Sequence, residues 1–161
     1  MNWNTRVTEL LQVKYPCIHG GLAYLAYADL AAAVSNAGGL GLITAMSLRN
    51  PNLLRAEIQK VRTLTEQPFG VNFAIGLHGI GFEEMVRVAV EEEVPVITIT
   101  GGKPAPIFEL LKGTAIKKLV LVAARRQAQK AEQLGADVVM VVGQEGGGHI
   151  GRDDVGTIVL V

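Results

Sequence analysis

The residues best suited to chemistry lie near the end of the chain, where GQEGGGHIGRDD occupies positions 143–154. His149 stands there among glycines and follows ADVVMVV, an apolar segment typical of a buried strand. A histidine can exchange a proton near neutral pH, which suits general acid–base catalysis. Glycine lets the main chain approach a flat or phosphorylated ligand because it has no Cβ. Residue types alone leave two interpretations of His149 open: ligand chemistry, or a loop histidine bonded to a backbone carbonyl.

Other apolar segments also end in glycine or carry an isolated polar residue. HGG follows YPCI at positions 19–21, and TGGKPAP at 100–106 follows VPVITI. Asn72 is a polar amide inside the apolar segment GVNFAI, so it needs hydrogen-bond partners to avoid a loss of stability. Those partners can belong to a neighbouring loop or to a ligand.

The elements that position these residues alternate along the chain. Six short apolar segments, YPCI, LGLI, FGVNFAI, VPVITIT, KKLVLV and ADVVMVV, predict strands. Patterns with helical spacing lie between them; one starts at Asn50 as an N-cap before Pro51, and another stops at Gly135. Strands that are apolar on both faces belong in a parallel sheet covered by helices. The sequence therefore predicts a run of βα units.

Two α/β architectures fit this alternation, an open doubly wound sheet and a (β/α)8 barrel of the TIM-barrel type. Gly146, Gly148 and Gly151 match the G-x-G-x-x-G dinucleotide fingerprint, but they follow the sixth predicted strand instead of the first. We therefore favour the TIM-barrel type. With about six βα units in 161 residues, it would be truncated before its last two units, so we predict that residues 1–161 form the N-terminal part of one barrel domain.

Composition excludes several classes of partner. Fifteen basic and fifteen acidic residues give a formal charge of zero, which argues against nucleic acid. The sequence contains neither a signal-peptide core nor an apolar run long enough to cross a membrane. Cys17 is the single cysteine; we expect it to be buried in the first strand of a cytoplasmic protein. The partner that remains is a small molecule, with a homo-oligomer as a further expectation.

The chain resembles the flavin-dependent nitronate monooxygenases, once called 2-nitropropane dioxygenases, and the similar flavin-dependent enoyl-acyl-carrier-protein reductases. The segments that carry the resemblance are YPCIHGGLA, LAAAVSNAGGLGLI, PFGVNF, TGGKPAP and GADVVMVVGQEGGGHIG. It implies an FMN-binding TIM barrel longer than this chain. Position 19 is His where many relatives carry Gln, and Leu22 stands where Met is frequent. The loops after the seventh and eighth strands, which hold the FMN phosphate in such barrels, lie outside these 161 residues.

The resemblance also implies roles for individual residues. His149 would be the catalytic residue near the flavin, removing the proton next to a nitro group or holding the nitronate during oxidation by O2. The implied cofactor-binding residues are Gly20, Gly21, Leu22, Asn72, Gly147 and Gly148. One alternative is reduction of an enoyl thioester by NAD(P)H at the same flavin. Another is a catalytically inactive half-barrel that needs a partner chain.

Overall fold

The computed structural model describes residues 3–75, 81–148 and 155–160. The helices are α1 (Arg6–Leu11), α2 (Ala28–Asn36), α3 (Pro51–Leu64), α4 (Glu83–Glu91), α5 (Ala105–Leu110), α6 (Arg125–Leu134) and α7 (Thr157–Leu160), with a short 3-10 helix over Ala45–Ser47. The strands are β1 (Gly41–Thr44), β2 (Phe69–Ala74), β3 (Val96–Thr100), β4 (Lys117–Val122) and β5 (Val138–Val141). None of the helices within the described residues has the length and apolar character needed to cross a bilayer.

The five strands form one parallel sheet in the order β1-β2-β3-β4-β5. Each strand pairs with the next strand along the chain, so the order does not reverse anywhere among the described strands. A doubly wound sheet requires such a reversal, whereas successive βα units of a barrel add strands in sequence. The strand order therefore confirms the TIM-barrel type over the open sheet.

The first predicted strand, YPCI, is reduced to a single bridge between Ile18 and Leu40 beside β1. Two main-chain bonds of 2.9 Å flank it, from Leu40 to the Cys17 carbonyl and from His19 to the Leu40 carbonyl. Pro16 has no N–H to donate, which limits pairing toward the start of the segment. The expectation for Cys17 was wrong, because its side chain is exposed.

Local signals placed the longer helices correctly. The Asn50 side chain accepts a 2.8 Å hydrogen bond from the main chain of Asn52 at the start of α3, with Pro51 in the first turn. Gly135 ends α6 in the left-handed region, with φ of 89°. Helix α1 was not predicted from the sequence; it has only six residues and begins with a capping box between Thr5 and Thr8.

The sheet has two apolar faces. The larger cluster packs the outward side chains, such as Ile43, Val71 and Ile97, against the helices. The smaller cluster contains inward side chains of successive strands together with residues in and just after α1: Leu11, Val13, Leu40, Leu42, Val96 and Leu119. Residues that alternate along a strand point to opposite faces. Positions in step with Leu42 along β1 and Val96 along β3 therefore line the inner face.

Candidate functional site

The carboxyl edge of the sheet brings together two of the residues predicted to bind the cofactor. Gly21 follows the Ile18 bridge, and Asn72 lies near the end of β2. A Cβ added to Gly21 would lie 2.7 Å from Cγ of Asn72, closer than real Cβ atoms approach other side chains. The same test at Gly20 finds no atom within 4 Å. The main chain at Gly21 therefore packs directly on the Asn72 amide, and only glycine fits there without displacing it.

Asn72 is 2% exposed and faces two threonines of β3. Its Nδ2 donates hydrogen bonds of 2.9 Å to Thr98 Oγ1 and 3.3 Å to Thr100 Oγ1. The amide oxygen has no hydrogen-bond partner among the described residues. This oxygen is the amide atom that faces Gly21, and it can accept a hydrogen bond from a ligand. Both interpretations of Asn72 therefore have support, since its nitrogen bonds a neighbouring strand and its oxygen remains available.

Two more polar side chains near this layer lack partners. Thr44 pairs in register with Asn72, and its buried hydroxyl makes no hydrogen bond within the described part of the chain. Both ring nitrogens of His19 are likewise buried without a partner. Burial lowers the pKa of His19, and a polar contact with the Leu42 backbone that falls short of a hydrogen bond opposes part of that shift. Buried polar atoms without partners are typical of ligand sites.

The loop after β3 lies against the end of β2. A Cβ on Gly102 would lie 2.7 Å from Cβ of Ile75, and the φ of Gly102, 59°, is in the left-handed region. The Ile75 main chain also donates a 2.8 Å hydrogen bond to the Thr100 carbonyl. The GG pair of TGGKPAP thus joins two strand ends at the edge where Asn72 lies.

Gly147 and Gly148 lie in the loop after β5, at the same edge of the sheet. A Cβ on either glycine would meet no atom within 4 Å in the part of the chain that the structure describes, so their main chain does not pack against those residues. Three strand spacings separate β5 from β2, about 14 Å along the sheet. His149, the predicted catalytic residue, lies outside the described residues, so its role stays a prediction.

A groove of about 1120 Å³ lies at the opposite edge of the sheet. Its lining includes Leu11 after α1 and the first residues of three strands, Phe69, Val96 and Lys117. The Arg62 guanidinium at this groove donates to the backbone carbonyl of Glu92. None of the unpartnered buried polar atoms named above lines it. Ligands bind parallel α/β proteins at the carboxyl ends of their strands, so we assign the candidate site to the carboxyl edge despite the size of this groove.

The threonines around Asn72 were not predicted from the sequence. Thr98 and Thr100 alternate with isoleucine in VITIT, a pattern that places both hydroxyls on the face of the sheet opposite Ile97 and Ile99. Two polar residues spaced two apart in an apolar strand are therefore a usable signal for an inner polar layer. No sequence pattern marks Thr44, because whether its hydroxyl finds a hydrogen-bond partner depends on how the folded chain packs around it. Among the described residues, no group of His, Cys, Asp and Glu side chains is arranged to hold a metal ion.

Comparison with known proteins identifies the family. The family model described as nitronate monooxygenase matches residues 4–78 and 73–161, which together cover nearly the whole chain. The chain belongs to the nitronate monooxygenase family. This agrees with the resemblance seen in the glycine-rich motifs, and members of the family are flavin-dependent oxidoreductases.

Relatives within and around the nitronate monooxygenase family differ in the activity their names describe. A probable nitronate monooxygenase of Staphylococcus haemolyticus is 34% identical, with 94% of this chain and 52% of that protein covered. The (3aS,4S,5R,7aS)-5-hydroxy-7a-methyl-1-oxo-octahydro-1H-indene-4-carboxyl-CoA dehydrogenase of Mycobacterium tuberculosis is 32% identical, with 94% and 42% covered. The chain thus spans about half the length of the curated relatives it matches.

Solved structures confirm the fold. FabK of Thermotoga maritima is 41% identical with a TM-score of 0.89, and the match covers 98% of this chain and 49% of that one. Nitroalkane oxidase of Streptomyces ansochromogenes is 26% identical with a TM-score of 0.79, covering 92% and 52%. The described strands therefore correspond to part of a TIM barrel, as the strand order indicates.

Proposed function

We propose that residues 1–161 form the N-terminal part of an FMN-binding barrel domain and that the complete site performs oxidoreductase chemistry on a small molecule. The observation that carries the proposal is the contact between Gly21 and the Asn72 amide. It leaves a bare main chain beside a buried amide whose oxygen has no partner among the described residues. A flat, polar ring system matches such a surface, because it can stack on glycine backbone and donate to the free oxygen.

The residues at the carboxyl edge fit the flavin that the family implies. Gly20, Gly21 and Leu22 would lie against its ring, Asn72 would hydrogen-bond it, and Gly147 with Gly148 would line it from the loop after β5. FMN would supply the redox chemistry, as cofactors do in such enzymes. The chain would supply binding, orientation and proton transfer.

Oxidation of alkyl nitronates with O2 is the first candidate reaction. With a neutral nitroalkane, His149 would remove the proton next to the nitro group and so form the nitronate; with an added nitronate it would hold the substrate by a hydrogen bond. Proton transfer by a positioned side chain contributes about 10²- to 10⁴-fold to the rate. We therefore expect His149→Ala to lower kcat with a neutral nitroalkane by that range while leaving the FMN absorbance spectrum close to that of the wild type.

Reduction of an enoyl thioester by NAD(P)H is the second candidate, and the alignments favour it. The staphylococcal nitronate monooxygenase aligns over 185 positions although it covers only 94% of this chain, so it carries extra residues. The mycobacterial dehydrogenase, whose named substrate is a carboxyl-CoA, aligns over 151 positions at the same coverage. The family model also matches in two stretches that meet at residues 73–78, after β2. Over the matched region, this chain and the mycobacterial dehydrogenase both lack the extra residues of the staphylococcal protein.

A substrate panel on the purified, FMN-supplemented protein tests both candidates. Oxygen uptake with alkyl nitronates supports the first, and NAD(P)H oxidation that depends on a crotonyl thioester supports the second. A protein that binds no flavin and turns over neither substrate would refute the proposed function. Size-exclusion chromatography of that protein would then test whether it is the inactive half-barrel that associates with another chain.

A further inference from the structure

Main-chain and side-chain hydrogen bonds join the loop after β5 to the start of α7. The Gly143 N–H donates to Thr157 Oγ1 at 2.8 Å, and the Thr157 N–H donates to Glu145 Oε1 at 2.8 Å. The Gln144 N–H donates to the Val155 carbonyl at 2.9 Å. Three bonds therefore connect positions 143–145 with positions 155–157, and each uses a different donor.

The two segments are also packed main chain against main chain. A Cβ on Gly143 would lie 2.5 Å from the carbonyl carbon of Gly156 and would overlap the Thr157 nitrogen. Gly143 is buried, whereas Glu145 is exposed and forms no ion pair among the described residues. The Glu145 carboxylate is therefore held by hydrogen bonds alone, from its own main chain and from Thr157, which lower its pKa and keep it ionised at neutral pH.

We propose that Glu145 is a positioning residue: with Gly143 and Thr157 it forms a clasp that holds the loop after β5, which includes Gly147 and Gly148, against the start of α7. His149 follows Gly148 directly in the sequence, and the positioning role rests on the function proposed above. A loop with joined ends loses conformational freedom, and catalytic groups depend on such restriction for their alignment. Glu145 need not touch substrate or cofactor to act in this way.

Hydrogen exchange tests the clasp directly, with no flavin needed. Removal of a charge-assisted acceptor in Glu145→Ala should speed amide exchange at Thr157 about tenfold or more. Thr157→Val, which removes the hydroxyl acceptor, should do the same at Gly143. If the three residues act as one unit, each variant speeds exchange at both amides. Faster exchange at only one amide in each variant, or none in either, would overturn the clasp.

Matched variants separate the clasp from general effects of a lost surface carboxylate. Glu145→Gln keeps one side-chain oxygen for the Thr157 N–H and should restore most of the protection. Glu132→Ala removes an exposed glutamate from α6 and should leave both amides as in the wild type. Trypsin gives an independent readout, because Arg152 lies in the sequence between the two joined positions and should be cleaved faster in Glu145→Ala than in the Glu132 control.

Kinetics then test whether the clasp positions the reacting groups. In the flavin-loaded protein, Glu145→Ala should lower kcat about tenfold with little change in KM or FMN affinity, and Glu145→Gln should recover part of the loss. An unchanged kcat in a variant with an opened clasp would overturn the positioning role. If the wild type itself shows no flavin turnover, the proposed function and the positioning role both fail, while the exchange data alone decide whether the clasp exists.

Discussion

Replacing Gly21 with alanine would displace the Asn72 amide. The new Cβ would lie 2.7 Å from the Asn72 Cγ, so the amide must leave the position in which it donates to Thr98 and Thr100. Forcing extra volume into a packed site costs about 1–3 kcal/mol, and leaving buried polar groups unpaired costs about 1–3 kcal/mol. Because the two effects share one displacement, we expect a total loss of about 2–4 kcal/mol in the free energy of unfolding.

Urea unfolding of matched variants measures this cost. Gly20→Ala is the control, since a Cβ there meets nothing within 4 Å, and its effect should stay within about 0.5 kcal/mol. At a typical urea dependence of about 2 kcal/mol per molar for a domain of this size, Gly21→Ala should lower the unfolding midpoint by about 1–2 M. In an Asn72→Ala background the clash is gone, so the cost of Gly21→Ala should shrink to below about 1 kcal/mol. Equal stability of the Gly20 and Gly21 variants would refute the contact.

Three further predictions concern the rest of the carboxyl edge and the clasp. Gly102→Ala should lower the free energy of unfolding by about 2–4 kcal/mol, because Gly102 has a left-handed φ and its Cβ would lie 2.7 Å from a side chain at the end of β2. Gly113→Ala, where φ is also left-handed but the Cβ would meet no described atom, should lower it by about 1–2 kcal/mol in the same urea assay. Burial lowers the pKa of His19, so the unfolded chain binds a proton at His19 more readily than the folded chain, and the free energy of unfolding should fall as pH drops through the ordinary histidine pKa. His19→Gln should flatten that fall between pH 8 and pH 5.5. An unchanged slope of the free energy of unfolding against pH would contradict this prediction. Hydrogen bonds lower the pKa of Glu145, so the clasp should persist below the ordinary glutamate pKa and open as pH falls through the lowered pKa. The amide chemical shift of Thr157 should report this opening, and Glu145→Gln should abolish the pH dependence of that shift.

Local chemistry made most of the fold predictable from the sequence. The start of α3 depends on Asn50 and Pro51, and the end of α6 depends on Gly135, all of which act through neighbouring main chain. Five of the six apolar segments became strands because runs of Val and Ile suit a sheet covered on its outer face. YPCI failed as a full strand because its pairing is confined to one bridge at the edge, which its own composition does not specify.

The candidate site was less predictable because its contacts join residues far apart in the chain. The packing of Gly21 on Asn72 spans two strands, and the clasp between Glu145 and Thr157 spans a loop. No periodicity encodes either contact. The glycines and Asn72 were found through motif resemblance and through polarity in an apolar strand, whereas unpartnered atoms such as the Thr44 hydroxyl become visible only in three dimensions.

An NMR titration of the isotope-labelled chain with FMN would show whether the carboxyl edge binds the cofactor, since it detects even weak binding and reports where it occurs. We expect amide shift changes at this edge, centred on Gly20, Gly21, Asn72 and Gly148, and Gly21→Ala should abolish them. Changes confined to the groove lined by Arg62 and Lys117 at the opposite edge, or no changes at all, would contradict this expectation.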